Sequence, residues 1–280
     1  MNEDVQVLAE ARKEEILKEI CQAIEKVKGY NFPILIVNSR CEPELIGSCI
    51  FLIIDDRKFL ATAGHVVNEF DNSSILVGYN SELVGFSGDV MKTEGTSTDK
   101  VDIAILELIG DEFEKIKNDD CVPFEMIAPS NTTAEKKIYS FIGYPATKSK
   151  IDRNKFNTVK SKMYTYFNTT CEKKVYEDMS LNPNTHILVN FNAKNCKNES
   201  GELVTFPRPN GLSGGGVWLH KNLTAIGEET TQYLSGLAIE YHADRKCLVG
   251  ISIEAVIEVL KQEFNVSSLS GQNTYFNIDD

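Results

Sequence analysis

The sequence predicts a mainly β protein built from two β-barrels, with one helix before the first barrel and another after the second. From Phe32 onward, short apolar segments alternate with turn residues, which is typical of an antiparallel chain of about a dozen strands. These segments are PILIV, GSCIFLII, KFLATA, SILVGY, DIAILEL, IYSFIGY, KMYTYF, HILVNF, GGVWL, SGLAIEY and CLVGISI. The acidic stretch from Gly110 to Asn131, with Pro123 and Pro129, divides the strands into two sets. Two barrels joined by a linker is the simplest arrangement of such a chain.

Each end of the chain carries a helical pattern. Residues 3–28 place apolar side chains at helical spacing among many Glu and Lys, and Gly29 marks the end of the helix. Its charged face mixes both signs evenly, whereas a helix on a membrane surface would be basic, so we expect it to pack on its own domain. A second helix is indicated by a periodic stretch containing Ile253, Val256, Ile257 and Leu260.

The chain of 280 residues has roughly the length of two domains. We expect residues 1–31 to form the N-terminal amphipathic helix and residues 32–120 to form the first barrel. Residues 121–265 are expected to contain the second barrel and the C-terminal helix, and residues 266–280 a polar tail.

Composition and charge exclude several classes of function. The chain has 29 basic and 41 acidic residues, a net charge of -12, and no basic stripe, so we expect no nucleic-acid partner. No apolar run approaches the ~18 residues that span a bilayer, so we expect no membrane insertion. The acidic N-terminus is unlike a secretory signal, which predicts a cytoplasmic protein. The seven cysteines show no zinc spacing, so we expect reduced thiols, no metal and no organic cofactor.

Three segments together indicate a chemistry. Residues 62–66 read T-A-G-H-V after a strand, residues 101–106 read V-D-I-A-I-L, and residues 210–215 read N-G-L-S-G-G before a strand. Here the chain resembles the trypsin-like (chymotrypsin-fold) serine peptidases, whose T-A-x-H, D-I-A-L-L and G-D-S-G-G motifs occur in that order. The resemblance spans residues 45–260 and implies two six-stranded antiparallel barrels of chymotrypsin type, with the catalytic cleft between them.

The resemblance implies that His65, Asp102 and Ser213 form a catalytic triad. A serine hydroxyl becomes a good nucleophile when an imidazole takes its proton, and a carboxylate fixes the tautomer of that imidazole. The backbone N–H groups of Gly211 and Ser213 would then form the oxyanion hole. Taken singly, the three segments would be better explained by a core histidine, a strand-edge carboxylate and a flexible glycine loop, but their occurrence together in the family's order favours the triad.

Two other chemistries share the glycine-serine pattern. The sequence from Gly211 to Gly215 also satisfies the nucleophile elbow of α/β-hydrolases, but that elbow opens a helix, and here Val217-Trp218-Leu219 favours a strand. A phosphate loop would require a lysine after the glycines, and none follows.

Departures from the family pattern bear on control and specificity. Val66 stands where secreted relatives have a disulfide cysteine, and Leu212 stands where trypsins have the Asp used in zymogen activation. Pro207, next to Arg208, stands at the expected floor of the substrate pocket. The expected pocket wall runs from Leu237 to His242. This wall contains Ile239, Glu240 and Tyr241, and Glu240 would either meet a basic substrate side chain or lie on the solvent face of its strand.

The sequence therefore predicts a cytoplasmic trypsin-like serine endopeptidase that cleaves protein or peptide substrates through an acyl-enzyme on Ser213. The alternative is a catalytically silent binding or sensor module on the same scaffold. A regulatory partner is hypothesised to bind the N-terminal helix, unless that helix docks on the barrels. By analogy with stand-alone intracellular relatives, we expect a role in bacterial stress or anti-phage defence.

Overall fold

Two curled antiparallel sheets form the body of the protein, and a helix lies at each end of the described chain. The computed structural model describes residues 3–70, 74–93, 101–127, 137–148, 150–151, 159–194, 196–197, 203–223 and 229–269. This arrangement confirms the predicted fold class of two β-barrels with an N-terminal and a C-terminal helix.

The first sheet holds eight strands in the order β5-β4-β1-β2-β3-β7-β6, with β8 paired to β2. They are β1 (Asn31–Val37), β2 (Pro43–Ile54), β3 (Arg57–Thr62), β4 (Ile75–Tyr79), β5 (Glu82–Phe86), β6 (Val90–Lys92), β7 (Ala104–Leu108) and β8 (Val122–Pro123). The four-residue helix α2 (Gly64–Val67) follows β3, and α3 (Asp111–Lys115) follows β7.

The second sheet holds six strands in the order β12-β9-β16-β17-β18-β13. They are β9 (Ile138–Gly143), β12 (Tyr164–Thr169), β13 (His186–Asn190), β16 (Gly216–Lys221), β17 (Thr231–His242) and β18 (Cys247–Ser252). Two small ladders, β10 (Lys150–Ile151) with β11 (Val159–Lys160) and β14 (Cys196–Lys197) with β15 (Leu203–Val204), lie outside both sheets. Helix α4 (Lys173–Met179) connects β12 to β13, and α5 (Ile253–Phe264) follows β18.

Side-chain alternation explains why these segments become strands. In β4, Ile75, Val77 and Tyr79 are buried while the residues between them are partly exposed, which is the period of two expected of a strand with one face on the core. The register shifts between Ala238 and Glu240 in β17, where one extra residue bends the strand. This bend lies beside the segment that contains Ser213, whose hydroxyl contacts Ile239.

The N-terminal helix α1 (Glu3–Val27) packs its last two turns against the core. Ile20, Ala23 and Val27 are at most 2% exposed, and Lys26 forms an ion pair with Glu229 at 2.6 Å. This confirms the expectation that the apolar side of the helix packs on its own chain. A 3₁₀ turn over residues 28–30 then leads into β1.

Asn31, at the start of β1, joins this helix to the second sheet. Its side-chain amide donates to the carbonyl oxygens of Val27 and Lys28, each at 3.4 Å. Its side-chain oxygen accepts the backbone N–H of Gly216 at 2.8 Å. Asn31 is 2% exposed, so these bonds form in a buried setting where an unpaired amide would be costly.

The C-terminal helix is buried along most of its length. Ile253, Val256, Ile257 and Leu260 are all at most 3% exposed, as the helical pattern predicted. The segment after α5 continues as a 3₁₀ turn at Ser267–Leu269, and Leu269 is buried. The start of the predicted polar tail therefore packs on the protein, and residues 270–280 of that tail lie outside the described residues.

The first sheet differs from the expected six-stranded barrel in two ways. It has seven strands in its antiparallel path, and β8 adds a short parallel pairing in which Val122 lies opposite Leu52. The first sheet thus extends to Pro123, beyond the predicted boundary at residue 120. The reason is hydrophobic, because Val122 is fully buried when it pairs with β2.

The described part of the chain contains six free cysteines and no helix long and apolar enough to cross a membrane. Four of these thiols are buried, namely Cys49, Cys121, Cys171 and Cys247. Cys196 lies in β14.

Candidate active site

His65 and Asp102 are held together by two hydrogen bonds. The imidazole Nδ1 of His65 lies 2.5 Å from Oδ2 of Asp102, and the backbone N–H of His65 donates to Oδ1 at 2.9 Å. Asp102 lies two residues before β7, and His65 lies in α2, just after the neighbouring strand β3. Gly64 permits this approach, because a Cβ at its position would lie 2.6 Å from Oδ1 of Asp102.

The carboxylate of Asp102 makes the imidazole more basic. The hydrogen bond that His65 donates to Asp102 is the main cause that raises the pKa of His65, and burial opposes the rise. The negative charges of Asp102, Glu240 and Glu69 raise this pKa further. The His65 side chain remains 49% exposed, and its Nε2 forms no hydrogen bond with the described residues.

Ser213 lies in the turn before β16, on the side of the second sheet that faces α2. Its carbonyl oxygen and the side chain of Val66 both border Gly47, where a Cβ would lie 3.3 Å from the carbonyl oxygen and 2.6 Å from Val66 Cγ1. The hydroxyl of Ser213 donates to the carbonyl oxygen of Ile239 at 3.0 Å. Among the described residues, no hydrogen bond joins Ser213 to His65.

The backbone of the same turn presents two amides without acceptors. The carbonyl oxygen of Asn210 accepts from Ala146 at 2.8 Å, and that of Leu212 accepts from Gly215 at 2.9 Å. Because a trans peptide points its N–H opposite to its C=O, the N–H groups of Gly211 and Ser213 face away from these two bonds. Neither amide donates to an acceptor in the part of the chain that the structure describes.

Gly211 has a backbone conformation that glycine adopts readily. Its φ is +95°, in the left-handed region where a side chain adds strain. A Cβ at this position would also lie 2.5 Å from the carbonyl oxygen of Tyr144. The turn therefore requires glycine at this residue for both conformation and space.

A cavity of about 200 Å³ opens beside Ser213. Its lining comprises Phe141, Pro209, Asn210, Leu212, Ser213, Ala238, Ile239, Glu240, Tyr241 and Leu248. The apolar members Phe141, Leu212 and Leu248 are at most 3% exposed, whereas the Glu240 side chain is 48% exposed. The deep part of the cavity is therefore apolar, and the carboxylate lies at its more exposed part.

Only some of the expected pocket residues line the cavity. Ile239, Glu240 and Tyr241 line the cavity, whereas Pro207 and Arg208 are not among its lining residues. Pro207 is buried elsewhere and Arg208 is exposed. The physical reason is the tight turn that follows them, in which the Leu212 N–H donates to the Pro209 carbonyl oxygen and brings Pro209 to the cavity wall.

Glu240 has a partner on its own strand. Nε2 of His242 lies 2.8 Å from a carboxylate oxygen of Glu240, and the His242 side chain is 24% exposed. Glu240 therefore contacts one histidine and contributes negative charge near His65. Glu240 thus lines the cavity and is also half exposed, and whether it meets a basic substrate side chain stays a prediction.

Sequence reasoning did not identify Ser48 and Tyr144, which touch the turn of Ser213. Ser48 donates its hydroxyl to the Gly211 carbonyl oxygen, and Tyr144 supplies a backbone N–H to that hydroxyl. Ser48 lies in an ordinary strand segment, so no motif marks it. No group of three His, Cys, Asp or Glu side chains in the described ranges could hold a metal ion.

Comparison with known proteins adds evidence on the fold. No protein-family model and no curated protein matches the chain. A solved structure described as "Structure of GrC" is similar, with a TM-score of 0.52 and 13% sequence identity, over 86% of this chain and 96% of that chain. The likeness extends over nearly the whole of both chains. The protein therefore shares its overall fold with that structure.

Proposed function

We propose that the protein is a serine endopeptidase in which Ser213 is the nucleophile, His65 the general base and Asp102 the group that orients the base. The observation that carries this proposal is the pair of hydrogen bonds from His65 to Asp102, which fixes the imidazole with Nδ1 on the carboxylate. This arrangement leaves Nε2 as the nitrogen that can accept a proton. The fold of the chain, its exposed imidazole and the cavity beside Ser213 support the proposal.

The reaction begins with rotation of the Ser213 hydroxyl from the Ile239 carbonyl oxygen toward His65. Nε2 takes the hydroxyl proton as Oγ attacks the substrate carbonyl carbon, and the carbonyl oxygen becomes an oxyanion. The free N–H groups of Gly211 and Ser213 would receive that oxyanion. The imidazolium then gives its proton to the leaving amine, which leaves an acyl group on Ser213. Water, activated by the same imidazole, releases the acid.

The cavity supports an apolar side chain before the scissile bond. Its buried lining contains Phe141, Leu212 and Leu248, and burying a substrate side chain against them contributes about 1.5–3 kcal/mol. We propose that Glu240 adds only a secondary preference for basic residues, because its carboxylate is half exposed and already touches His242. Cleavage-site profiling of a peptide library with wild type and Glu240→Gln tests this. A dominant Arg/Lys preference that Glu240→Gln leaves unchanged would contradict it.

One observation favours a second candidate, a catalytically silent module on the same scaffold. The Ser213 hydroxyl donates to the Ile239 carbonyl oxygen and forms no hydrogen bond with the imidazole, so the proton transfer that activates a serine is not assembled among the described residues. Labelling with a fluorophosphonate probe separates the two candidates, because only an activated serine reacts. We expect wild type to be labelled and Ser213→Ala to be unlabelled, with cleavage reduced by roughly 10⁴ to 10⁶ in that variant. Absence of labelling in folded wild type would favour the silent module.

We also propose a cytoplasmic location, a dedicated protein substrate and a role in bacterial stress or anti-phage defence. The location rests on the acidic N-terminal sequence, and the substrate and the defence role rest on analogy with proteins of similar motifs. Phage plating on cells that express wild type or Ser213→Ala tests the defence role, since protection that requires Ser213 would support it. Equal protection by the two proteins would contradict a role for the peptidase activity.

A further inference from the structure

Ser48 lies in β2 of the first sheet, yet its polar groups serve the turn of the second sheet that contains Ser213. It is fully buried. Its backbone N–H donates to the Ser213 carbonyl oxygen at 2.8 Å, and its hydroxyl donates to the Gly211 carbonyl oxygen at 2.7 Å. The same hydroxyl accepts the backbone N–H of Tyr144 at 2.9 Å. Ser48 thus holds the turn at residues 211 and 213, on both sides of Leu212.

From these contacts we infer that the Ser48 hydroxyl is a positioning group that keeps the turn from Gly211 to Ser213 in its reactive conformation. This inference rests on the proposed peptidase function, and it adds a residue that the sequence motifs do not contain. The hydroxyl acts through the backbone of the turn and touches no reacting atom.

The geometry explains how one hydroxyl can fix the two free amides. The Gly211–Leu212 peptide is held at its oxygen by Ser48 and at its N–H by the Pro209 carbonyl oxygen. This peptide lies between the Gly211 amide and the Ser213 amide along the backbone. A displacement of this peptide would carry both amides with it, because each is joined to it through a single α-carbon.

A hydroxyl suits this position because it donates one hydrogen bond and accepts another from a single atom. Without it, the Gly211 carbonyl oxygen and the Tyr144 N–H would both lose a partner in a buried setting, and the turn would relax to recover partners. The space is limited, since a Cβ on Gly143 would already lie 2.8 Å from the Ser48 hydroxyl oxygen.

Leu212 makes this anchor necessary. It stands next to the nucleophile, is 3% exposed and belongs to the apolar cluster of the second sheet. An apolar side chain cannot form an ion pair, so hydrogen bonds hold the turn. The carbonyl oxygens of Asn210, Leu212 and Ser213 accept hydrogen bonds from backbone N–H groups. The carbonyl oxygen of Gly211 accepts its hydrogen bond from a side chain, that of Ser48. In trypsins, the new N-terminus formed by zymogen cleavage pairs with an Asp at the position of Leu212. A turn that is held by Ser48 would not need such an ion pair to become active.

The test compares Ser48→Ala with Ser140→Ala. Ser140 is an equally buried serine whose hydroxyl hydrogen-bonds to His220 Nε2 at 2.8 Å, so its replacement removes a similar bond away from the turn. For Ser48→Ala we expect kcat to fall by about 10- to 100-fold with little change in KM, because small displacements of aligned groups cost that much. The affinity for a peptide boronic acid should fall by a similar factor. Ser140→Ala should stay within about threefold of wild type in both measurements.

Two further measurements separate positioning from mere stability. The pH dependence of kcat/KM should keep its acid limb, because His65 and Asp102 are unchanged. Hydrogen exchange of the backbone amides from Asn210 to Gly216 should accelerate in Ser48→Ala and stay unchanged in Ser140→Ala. If Ser48→Ala does not fold, Ser48→Cys keeps a similar side chain with a weaker donor and should show the same losses.

The outcomes distinguish this inference from the proposed function. Turnover and exchange in Ser48→Ala that match wild type, or losses equal to those of Ser140→Ala, would overturn the positioning role while the peptidase reaction stands. A folded wild type that neither cleaves peptides nor reacts with a fluorophosphonate would overturn the proposed function, and with it this inference.

Discussion

Replacing Asp102 with asparagine changes the protonation of His65 while nearly preserving shape. In the native site, Oδ1 accepts the backbone N–H of His65 and Oδ2 faces Nδ1. The asparagine oxygen must take the first position, because a backbone N–H requires an acceptor. The NH₂ group then faces Nδ1 and donates to it, so the ring proton moves to Nε2. In that tautomer the imidazole cannot accept the hydroxyl proton of Ser213.

The expected loss follows from this geometry. Triads with the wrong histidine tautomer lose about 10³- to 10⁴-fold in kcat, which corresponds to about 4–5.5 kcal/mol of transition-state stabilisation. The hydrogen bond that His65 donates to Asp102 is the main cause that raises the pKa of His65, so Asp102→Asn should also lower that pKa. The base must be neutral to act, and activity therefore falls as the pH drops through this pKa. The acid limb of kcat/KM should consequently move to lower pH in the variant.

The assay is kcat/KM against pH for wild type, Asp102→Asn and a matched control, Glu107→Gln. Glu107 forms an ion pair with Arg57 on the first sheet at 2.6 Å, so the control also replaces a paired carboxylate with an amide. We expect the control to retain activity within a few-fold. Activity of Asp102→Asn within tenfold of wild type, with the acid limb unmoved, would refute the assigned role of Asp102.

Three further predictions concern stability. Burial lowers the pKa of His220 to about 4, so only the unfolded chain gains a proton between pH 6.5 and 4, and stability should fall by up to roughly 3 kcal/mol in that window. Urea titrations across this range should show a weaker pH dependence in His220→Gln, and an identical one would contradict the burial. Ile20→Ala in α1 should cost about 2–5 kcal/mol and half-buried Leu17→Ala less, as measured by urea unfolding. Equal costs would argue against docking of α1. The described cysteines are free and burial raises the pKa of Cys49, so dithiothreitol should leave the melting temperature within a few degrees, and a drop above about 10 °C would reveal a disulfide.

Removing the N-terminal helix tests whether this helix regulates the activity of the protein. Deleting residues 1–28 removes the buried side chains of Ile20, Ala23 and Val27 and uncovers the surface beneath them. We expect lower solubility or altered basal activity in the truncated protein, measured by light scattering and peptide cleavage. A truncated protein identical to the parent in melting, activity and partner capture would remove the idea that the helix controls the site.

The alternation of apolar residues predicted the fold class because it is a local pattern, whereas the contact between His65 and Asp102 was implied by the resemblance of their motifs to those of a known family. Alternating apolar residues identify strands, and short motifs lie where strands end. The sequence could not predict β8, since two residues carry no periodicity and Val122 pairs with β2 only after the chain has folded. The role of Ser48 was equally invisible, because its hydroxyl meets Gly211 across 163 residues of chain.

The cavity beside Ser213 also shows which contacts cannot be predicted from the sequence. Its wall from Ile239 to Tyr241 lies in β17, where the family resemblance implied it, although the register shift between Ala238 and Glu240 bends the strand there. Its other wall depends on where a loop turns. The hydrogen bond from Leu212 to Pro209 sets that turn, so Pro209 and Asn210 line the cavity where Pro207 and Arg208 had been expected.

Asn31 sets a limit on changes in the length of the chain. Its amide spans the end of α1 and the backbone of Gly216, three residues beyond Ser213, and it uses both its donor and its acceptor to do so. Inserting or deleting one residue between Val27 and Asn31 would rotate the helix relative to β1, and the amide could then reach only one of its two partners. Aspartate at this position could accept from Gly216 but could not donate to the helix. The length of the chain between α1 and β1 is therefore fixed by the backbone of Gly216, at the start of the strand that follows Ser213.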